Sequence, residues 1–136
     1  MSSTFISELL GLPVQCAMRL SPVLAASSDN VSAVVDKMVR EDIGAVIVVT
    51  DSRPIGIITE KDIVERVVRT GKDMKNTQAK DVMSAPVVTI EFNRPLKEAL
   101  ELMHRRKIRR LVVTKAGSVI GLLTERRLLE VAFLTV

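Results

Sequence analysis

The chain contains one stretch twice: IGIITEKDIVE at residues 55–65 and IGLLTERRLLE at residues 120–130. The two copies lie 65 positions apart (120 − 55), and each aliphatic residue of the first is replaced only by another aliphatic in the second. Each copy predicts a short buried strand that ends in threonine and turns directly into an amphipathic helix. Similarity at a fixed offset is the sequence signature of a repeat architecture. We therefore predict that the chain consists of two copies of one structural unit.

The turn between strand and helix predicts an anion site in the first copy. Free backbone N–H groups and the helix dipole meet there, and Thr59 adds a hydroxyl for a phosphate. Asp62 offers two acceptor oxygens that suit the hydroxyls of a ribose, and Gly56 lets another backbone approach closely. The same Thr-x-x-Asp spacing is close to a capping box, in which the two side chains only cap the helix. The residues alone leave both interpretations open.

The composition limits the classes of function. Of the 136 residues 47% are hydrophobic, which is ample for a core, but only 2% are aromatic, so stacking of nucleobases on aromatic rings is nearly excluded. The single cysteine, Cys16, cannot form an intrachain disulfide, which favours a reducing, cytoplasmic setting, and we expect it to fill space in the core. The longest apolar run, Ala45–Val49, is too short to cross a bilayer, and the N-terminus lacks a signal-peptide pattern.

The net charge of +4 is unevenly distributed. Residues 1–70 carry 7 Lys and Arg against 9 Asp and Glu, whereas residues 71–136 carry 13 against 7. The excess lies mainly in residues 104–110, with the sequence HRRKIRR, which we call the basic segment. Such a segment can bind phosphate, nucleic acid or an acidic partner. Alternatively, it is a solvated helix end, where cations interact favourably with the helix dipole.

The first repeat has the predicted order β-α-β-β-α. A helix over residues 1–12, ended by Gly11 and Pro13, precedes it. The repeat then has strand Val23–Ala25, helix 31–41, strand Ala45–Val49, a turn at 51–54, strand Ile55–Ile58 and helix Glu60–Arg69. The inward positions of the two helices are predicted to be Val31, Val34, Val35, Met38 and Val39, and Ile63, Val64, Val67 and Val68.

The second repeat follows the same order after a polar linker. It has strand Val87–Ile90, a helix marked by Leu96, Ala99, Leu100 and Met103, strands Leu111–Thr114 and Val119–Leu123, and helix Glu125–Phe133. The predicted division is an N-terminal helical extension, 1–13, a first repeat, 14–70, a linker, 71–78, and a second repeat, 79–136. The fold class is α+β. Because helices cover only one face of each sheet, we expect the repeats to pack through their sheets with pseudo-twofold symmetry.

This organisation resembles a tandem pair of CBS domains, the cystathionine-β-synthase-type modules known in pairs as Bateman modules. The resemblance rests on Met-Ser-Ala-Pro-Val at residues 83–87, on helices ending near Met38 and Met103, and on Gly-x-x-Thr-x-x-Asp at residues 56–62. It covers about residues 14–134. The resemblance implies a regulatory module, not an enzyme, that requires no cofactor. Its implied ligands are AMP, ADP, ATP or S-adenosylmethionine, bound in clefts between the repeats.

The resemblance also implies roles for individual residues. Thr59 and Asp62 would hold phosphate and ribose. The second repeat keeps Thr124 but has Arg127 in place of Asp62, and a guanidinium cannot accept hydroxyl protons. It can bind phosphate, so the two clefts are expected to differ. Further phosphate contacts are expected from Arg126, Arg109 and Arg110, and base contacts from Val23, Leu24, Gly44 and Ala45 in the first repeat and from Val87, Val88 and Ile108 in the second.

Other functions have weaker support. His104, expected on a helix surface, and Cys16 show no metal-ligand spacing and no triad pattern, so no catalytic or metal-binding residue is predicted. The alternative function is a nucleic-acid or protein interaction module that uses the basic segment, although no DNA-reading motif accompanies it. A homodimer through helices Glu60–Arg69 and Glu125–Phe133 and an unidentified regulated protein are the expected partners, with no membrane.

Overall fold

The computed structural model describes residues 3–134, which form five α-helices and seven β-strands. Short 3-10 turns lie at Val14–Cys16 and Ala79–Asp81. The α+β class and the order β-α-β-β-α are confirmed for both repeats. The helices are α1 (Ser3–Gly11), α2 (Val31–Glu41), α3 (Glu60–Ile63), α4 (Leu96–Arg106) and α5 (Glu125–Leu134), and the strands are β1 (Arg19–Leu20), β2 (Leu24–Ala26), β3 (Ala45–Thr50), β4 (Arg53–Thr59), β5 (Thr89–Glu91), β6 (Arg110–Lys115) and β7 (Ser118–Thr124).

The chain divides into two compact units, which we call the central unit, Pro22–Val87, and the terminal unit, Met1–Ser21 with Val88–Val136. The central unit has a three-stranded sheet in the order β2-β3-β4, with β2 parallel and β4 antiparallel to β3. The terminal unit has a four-stranded sheet in the order β1-β7-β6-β5. The corresponding pairs again run parallel, β5 with β6, and antiparallel, β6 with β7.

Each unit has a β-hairpin, formed by β3 and β4 in the central unit and by β6 and β7 in the terminal unit. In each unit a segment from the start of the other sequence repeat pairs with the second strand of this hairpin. Ser84 forms an antiparallel bridge with Ile57 in the central unit. In the terminal unit β1 pairs Arg19 with Leu122. These two pairs are equivalent at the 65-residue offset, since 84 − 19 and 122 − 57 both give 65. The compact units therefore differ from the sequence repeats by an exchange of their leading segments.

The predicted linker is part of the central unit. The backbone N–H of Val31 donates to the carbonyl of Thr77 at 2.8 Å, and that of Ser32 donates to the carbonyl of Met74 at 3.0 Å. Asn30 bridges with Gln78 and also caps α2, where its side chain accepts a hydrogen bond from the N–H of Ala33. The polar stretch thus supplies partners for backbone groups at the start of α2 that a helix leaves unsatisfied.

Three valines predicted to face inward are exposed, so that prediction is wrong for them. Val39 is 76% exposed, because the buried stripe of α2 is narrow and runs along Val31, Val34 and Met38. Val64 and Val68 are 58% and 66% exposed. They lie where α3 continues as a π-helical turn, Val64–Val68, whose wider winding leaves Val67 as its buried residue.

Two smaller predictions also need correction. Cys16 is exposed and does not fill the core, because the 3-10 turn directs its neighbours Val14 and Ala17 inward instead. The predicted turn at 51–54 contains only Asp51 and Ser52, which have positive φ angles of 51° and 66°. Two residues with positive φ match the right-handed twist of a hairpin. Residues 53 and 54 consequently belong to β4.

The cores of the two units are aliphatic and repeat the same positions. In the central unit the buried residues include Val34, Val48 and Ile58. In the terminal unit they include Ala99, Val113 and Leu123, which are their equivalents at the offset. The N-terminal helix contributes Leu9, which packs against the core of the terminal unit. One apolar pattern thus builds two similar cores.

Candidate functional site

The strand-to-helix turn of the central unit contains a complete capping box. The hydroxyl oxygen of Thr59 accepts a hydrogen bond from the N–H of Asp62 at 3.3 Å. Oδ2 of Asp62 accepts from the N–H of Thr59 at 2.9 Å and from its hydroxyl at 3.1 Å. The structural interpretation of Thr-x-x-Asp is therefore confirmed, and it fixes the position of the carboxylate.

Two further residues hold the carboxylate of Asp62, which is only 7% exposed. The hydroxyl of Ser84 donates to Oδ1 at 3.0 Å, and Nε of Arg66 lies 3.8 Å from the same oxygen. Arg66 also donates to the carbonyl oxygens of Val82 and Met83 at 3.1 and 2.7 Å. Neither Arg66 nor Ser84 was predicted from the sequence to be a site residue. Arg66 could have been found by its i, i+4 spacing from Asp62, whereas Ser84 carried no signal toward this site.

Five of the predicted ligand-binding residues lie at one end of the central sheet. Ala45 is paired with Thr59 across the antiparallel strands. The carbonyl of Gly44 accepts from the N–H of Glu60 at 3.1 Å, and the carbonyl of Val23 accepts from the N–H of Ile47 at 3.0 Å. Leu24, the fifth, is in register with Ile47 on β2. The site is therefore assembled from the starts of β2 and β3 and the end of β4.

The terminal unit assembles the equivalent residues in the same way. Arg110 is paired with Thr124, and the carbonyl of Arg109 accepts from the N–H of Glu125 at 3.0 Å. The carbonyl of Val88 accepts from the N–H of Val112 at 3.1 Å. Val88 is thus the structural equivalent of Val23. The equivalent of Leu24 is Thr89, which was not among the predicted site residues. Val87 precedes these residues and belongs to the central unit.

Charge distinguishes the two sites. The hydroxyl of Thr124 accepts from the N–H of Arg127 at 3.0 Å, but the side chain of Arg127 cannot return a bond as an acceptor. Instead, its Nη1 lies 3.4 Å from Oε2 of Glu130, and Nε of Arg126 lies 3.4 Å from Oε1 of the same glutamate. The terminal site therefore has half of the capping box and replaces a buried carboxylate with a partly exposed cation.

The basic segment is exposed in every residue except Ile108, which is half-buried. His104, Arg105 and Arg106 form the last turn of α4, as expected for a surface helix end, where cations favour the dipole. Between residues 3 and 134, no acceptor or acid lies within bonding distance of its arginine and lysine side chains. The segment thus presents uncompensated positive charge.

Each unit has a groove between its first helix and its closing helix. The central groove has a volume of about 510 Å³ and is lined by Val39, Asp42, Gly44, Glu60 and Val64, among others. The terminal groove has a volume of about 470 Å³, and its polar lining consists of His104, Lys107, Arg109 and Glu125. The grooves include Gly44, Ile108 and Arg109 from the predicted site residues, but neither Thr59 nor Asp62.

Within the described residues, no group of three or more His, Cys, Asp or Glu side chains is placed to hold a metal ion. In residues 3–134 there is also no helix with the length and apolar character that a membrane span requires.

Comparison with known proteins gives the family. The CBS domain profile matches residues 14–69 and again residues 79–133. An uncharacterized protein of Methanopyrus kandleri is 37% identical over 115 residues, which are 83% of this chain and 59% of that protein. One of Methanocaldococcus jannaschii is 31% identical over 125 residues, 89% of this chain and 66% of that protein. The chain thus spans less than two thirds of the length of these curated relatives.

Solved structures share the fold. The CBS domain protein PAE2072 of Pyrobaculum aerophilum, complexed with AMP, has a TM-score of 0.77 at 24% identity, with 90% of this chain and 99% of that chain covered. The hexameric CBS-CP12 protein from bloom-forming cyanobacteria has a TM-score of 0.78 at 26% identity, with 88% and 71% covered. With two profile matches that together span more than half of the sequence, the chain belongs to the CBS-domain family and carries two copies of the domain.

Proposed function

We propose that the protein is a regulatory, non-catalytic module that binds an adenosine nucleotide at the sheet end of the central unit. The observation that carries the proposal is the position of the Asp62 carboxylate, held beside Thr59 at the edge where Val23, Gly44 and Ala45 meet. Family membership and the AMP complex of PAE2072 support adenosine as the ligand class. AMP, ADP, ATP and S-adenosylmethionine all carry the ribose that this site would recognise.

The ribose would exchange with a hydrogen bond that the protein already makes. Oδ2 of Asp62 already accepts twice from Thr59, and Oδ1 accepts from Ser84. A carboxylate has about four lone-pair directions, so release of Ser84 leaves two on Oδ1 for the two hydroxyls of a ribose. Both oxygens of the carboxylate would then accept hydrogen bonds with and without bound nucleotide. The hydroxyl of Thr59 would be near the phosphate.

The terminal site would favour more highly phosphorylated ligands. It lacks the diol acceptor and adds the cations Arg109, Arg126 and Arg127. The central site therefore binds adenosine and AMP more tightly than the terminal site does. The difference in affinity between the two sites narrows toward ATP, because each added phosphate interacts with the extra positive charge of the terminal site.

Titration calorimetry with AMP tests the proposal. Asp62→Asn keeps an acceptor for the cap but loses the negative charge and one acceptor. We expect AMP binding to weaken roughly tenfold to a hundredfold, since a hydrogen bond to a charged group is worth about 1.5–3 kcal/mol. The matched variant is Arg127→Asp, which gives the terminal unit its own Thr-x-x-Asp and is expected to add a second AMP site. Wild-type affinity in Asp62→Asn, with AMP bound only at the terminal unit, would contradict the proposal.

We also propose that the chain self-associates as a homodimer through its closing helices and acts on a regulated protein in the cytoplasm. Exposed Val64, Val68 and Leu129 on the closing segments support self-association, and the single cysteine supports a reducing compartment. The second candidate function is nucleic-acid binding by the basic segment, which its unpaired exposed cations favour. A thermal-shift comparison separates the two, because AMP stabilises a nucleotide sensor, whereas a polynucleotide stabilises the alternative in a salt-dependent way.

A further inference from the structure

Arg19 occupies in the terminal unit the place that Ser84 has in the central unit. Each of them pairs with the second strand of a hairpin, Ser84 with β4 and Arg19 with β7, at positions that are equivalent at the 65-residue offset. The methionines that precede them, Met83 and Met18, both pack on a glycine of that strand. The two leading segments are therefore held in the same way, and Arg19 leaves the backbone where the serine does.

The partner of this position also changes between the units. In the central unit the hydroxyl of Ser84 donates to Oδ1 of Asp62 at 3.0 Å. In the terminal unit the equivalent of Asp62 is Arg127, since 127 − 62 gives 65. A donor and an acceptor are thus replaced by Arg19 and Arg127, whose guanidinium groups are donors only and cannot satisfy each other. An acceptor placed between them would satisfy both.

The register of the sheet brings the two arginines to one place. Arg19 is paired with Leu122, which precedes Thr124 by two residues on β7. Paired residues of antiparallel strands, and residues two apart on one strand, direct their side chains to the same face of the sheet. Arg19 and Thr124 are therefore diagonal neighbours, a separation within reach of a long side chain. The hydroxyl of Thr124 in turn accepts from the N–H of Arg127 at 3.0 Å.

The positive charge at this place is only partly compensated. Nη1 of Arg127 and Nε of Arg126 each lie 3.4 Å from an oxygen of Glu130, so two guanidinium groups share one carboxylate. Arg19 is exposed, and of the residues that the structure describes none forms an ion pair with it. Glu125, at the start of α5, forms no ion pair with these arginines either. The place therefore has cations in excess and suits an anion.

We propose that Arg19 and Arg127 form a phosphate-binding site of the terminal unit, which takes a polyphosphate chain and does not require a nucleoside. Phosphate oxygens are acceptors, and the planar fork of a guanidinium group binds them with two parallel hydrogen bonds. No carboxylate stands in the place of Asp62 to accept hydrogen bonds from a ribose. The inference deepens the proposal for the terminal site and is independent of AMP binding at Asp62, so the two can fail separately.

The test is titration calorimetry of the full chain with inorganic tripolyphosphate at about 0.15 M ionic strength, where charges interact within about 8 Å. Arg19→Gln and Arg127→Gln each remove one guanidinium group and keep the backbone contacts of the residue. We expect each variant to weaken tripolyphosphate binding roughly tenfold or more. Arg19→Lys keeps the charge without the fork and is expected to lose less affinity than Arg19→Gln. The affinity for AMP at the central site is expected to stay unchanged in all three variants.

ATP distinguishes a nucleotide from a free polyphosphate as the source of the chain. With the central site saturated by AMP, we expect ATP to bind the wild type within about tenfold of the affinity of tripolyphosphate, because both offer three linked phosphates. A larger advantage of ATP would show that the nucleoside is recognised and would overturn the proposal.

The matched control is Arg53→Gln, which removes the same charge at an exposed position at the start of β4. It is expected to bind tripolyphosphate as the wild type does, and an equal loss there would show that only net charge matters. Wild-type affinity for tripolyphosphate in Arg19→Gln or in Arg127→Gln would also overturn the proposal, as would a wild-type chain that does not bind tripolyphosphate at about 1 mM. A chain that binds tripolyphosphate through both arginines but does not bind AMP would refute the central site alone.

Discussion

Asp62 and Arg127 occupy the same place in the two repeats and make different contacts. The spacing of Thr59 and Asp62 was sufficient to predict that the two side chains act together, because both lie within one helical turn. Ser84, 22 residues away, completes the network, and no periodic pattern connects residues at that distance. Local geometry was therefore predictable from the sequence, whereas the third member of the site depends on where the segment after the linker folds back.

The variant Ser84→Ala tests whether the hydroxyl of Ser84 competes with the ribose for Asp62 or contacts the ligand itself. The variant removes the hydroxyl that donates to Oδ1 of Asp62. If ribose replaces this donor, the variant no longer loses a hydrogen bond to a charged group, worth about 1.5–3 kcal/mol, when AMP binds, so affinity rises by up to roughly tenfold to a hundredfold. Titration calorimetry measures the change, with Ser118→Ala at the start of β7 as a control that leaves affinity unchanged. Weaker binding in Ser84→Ala would mean that this hydroxyl contacts the ligand itself.

At the scale of elements, the long periodic segments were predictable and the short ones were not. Helix α2 has the predicted bounds, and the hairpin strands differ from prediction by one or two residues. Strand β1 has two residues, too few to show an alternation. The π-helical turn after α3 depends on a single extra residue in the winding. The winding of a helix determines which of its side chains face outward. The exposure of Val64 and Val68 therefore could not be predicted from the apolar pattern.

Gly56 allows a methionine to pack on β4. A Cβ added at Gly56 would lie 2.8 Å from Cγ and 3.1 Å from Cβ of Met83. We expect Gly56→Ala to lower the free energy of unfolding by about 1–3 kcal/mol, the usual cost of overpacking. The double variant with Met83→Ala is expected to be more stable than the sum of the single effects predicts. Urea denaturation measures both.

Gly11→Ala provides the matched control for that experiment, because a Cβ at Gly11 meets nothing within 4 Å and the position ends a helix. Its stability is expected to equal or slightly exceed that of the wild type. An additive double variant would show that Met83 does not cause the loss. Gly121 and Met18 repeat the arrangement in the terminal unit, where the added Cβ would lie 3.0 Å from Cγ of Met18.

At the scale of the whole molecule, the exchange of leading segments changes which residues stabilise which sheet. The 65-residue offset identifies two copies, but it cannot show whether a leading segment packs on its own repeat or on the other, since both copies carry the same pattern. Ser84 pairs with Ile57, 27 residues away (84 − 57). The equivalent pair, Arg19 and Leu122, is separated by 103 residues (122 − 19). The two contacts are structurally equivalent, but the loop of chain between the paired residues is much longer in the terminal unit.

The longer closure is expected to delay the terminal unit during refolding. Loop-closure entropy makes the 103-residue contact about 1.2 kcal/mol more costly than the 27-residue contact, and contacts between distant residues slow folding. Pulsed hydrogen exchange during refolding, read by mass spectrometry, is expected to show protection of β3 and β4 before β6 and β7. Simultaneous protection of both hairpins would contradict this order.

The same exchange has a consequence for synthesis on the ribosome, where the chain appears from its N-terminus. The central unit has all of its residues once Val87 has emerged, whereas the terminal unit lacks β6 and β7 until Thr124 follows. During that interval α1 and β1 are already outside the ribosome without the strand that β1 pairs with. Leu20, which is 69% exposed even in the folded protein, then belongs to a segment open to a chaperone. Helix α1 and strand β1 are thus made before β6 and β7, and β1 gains its partner strand only after β7 has followed.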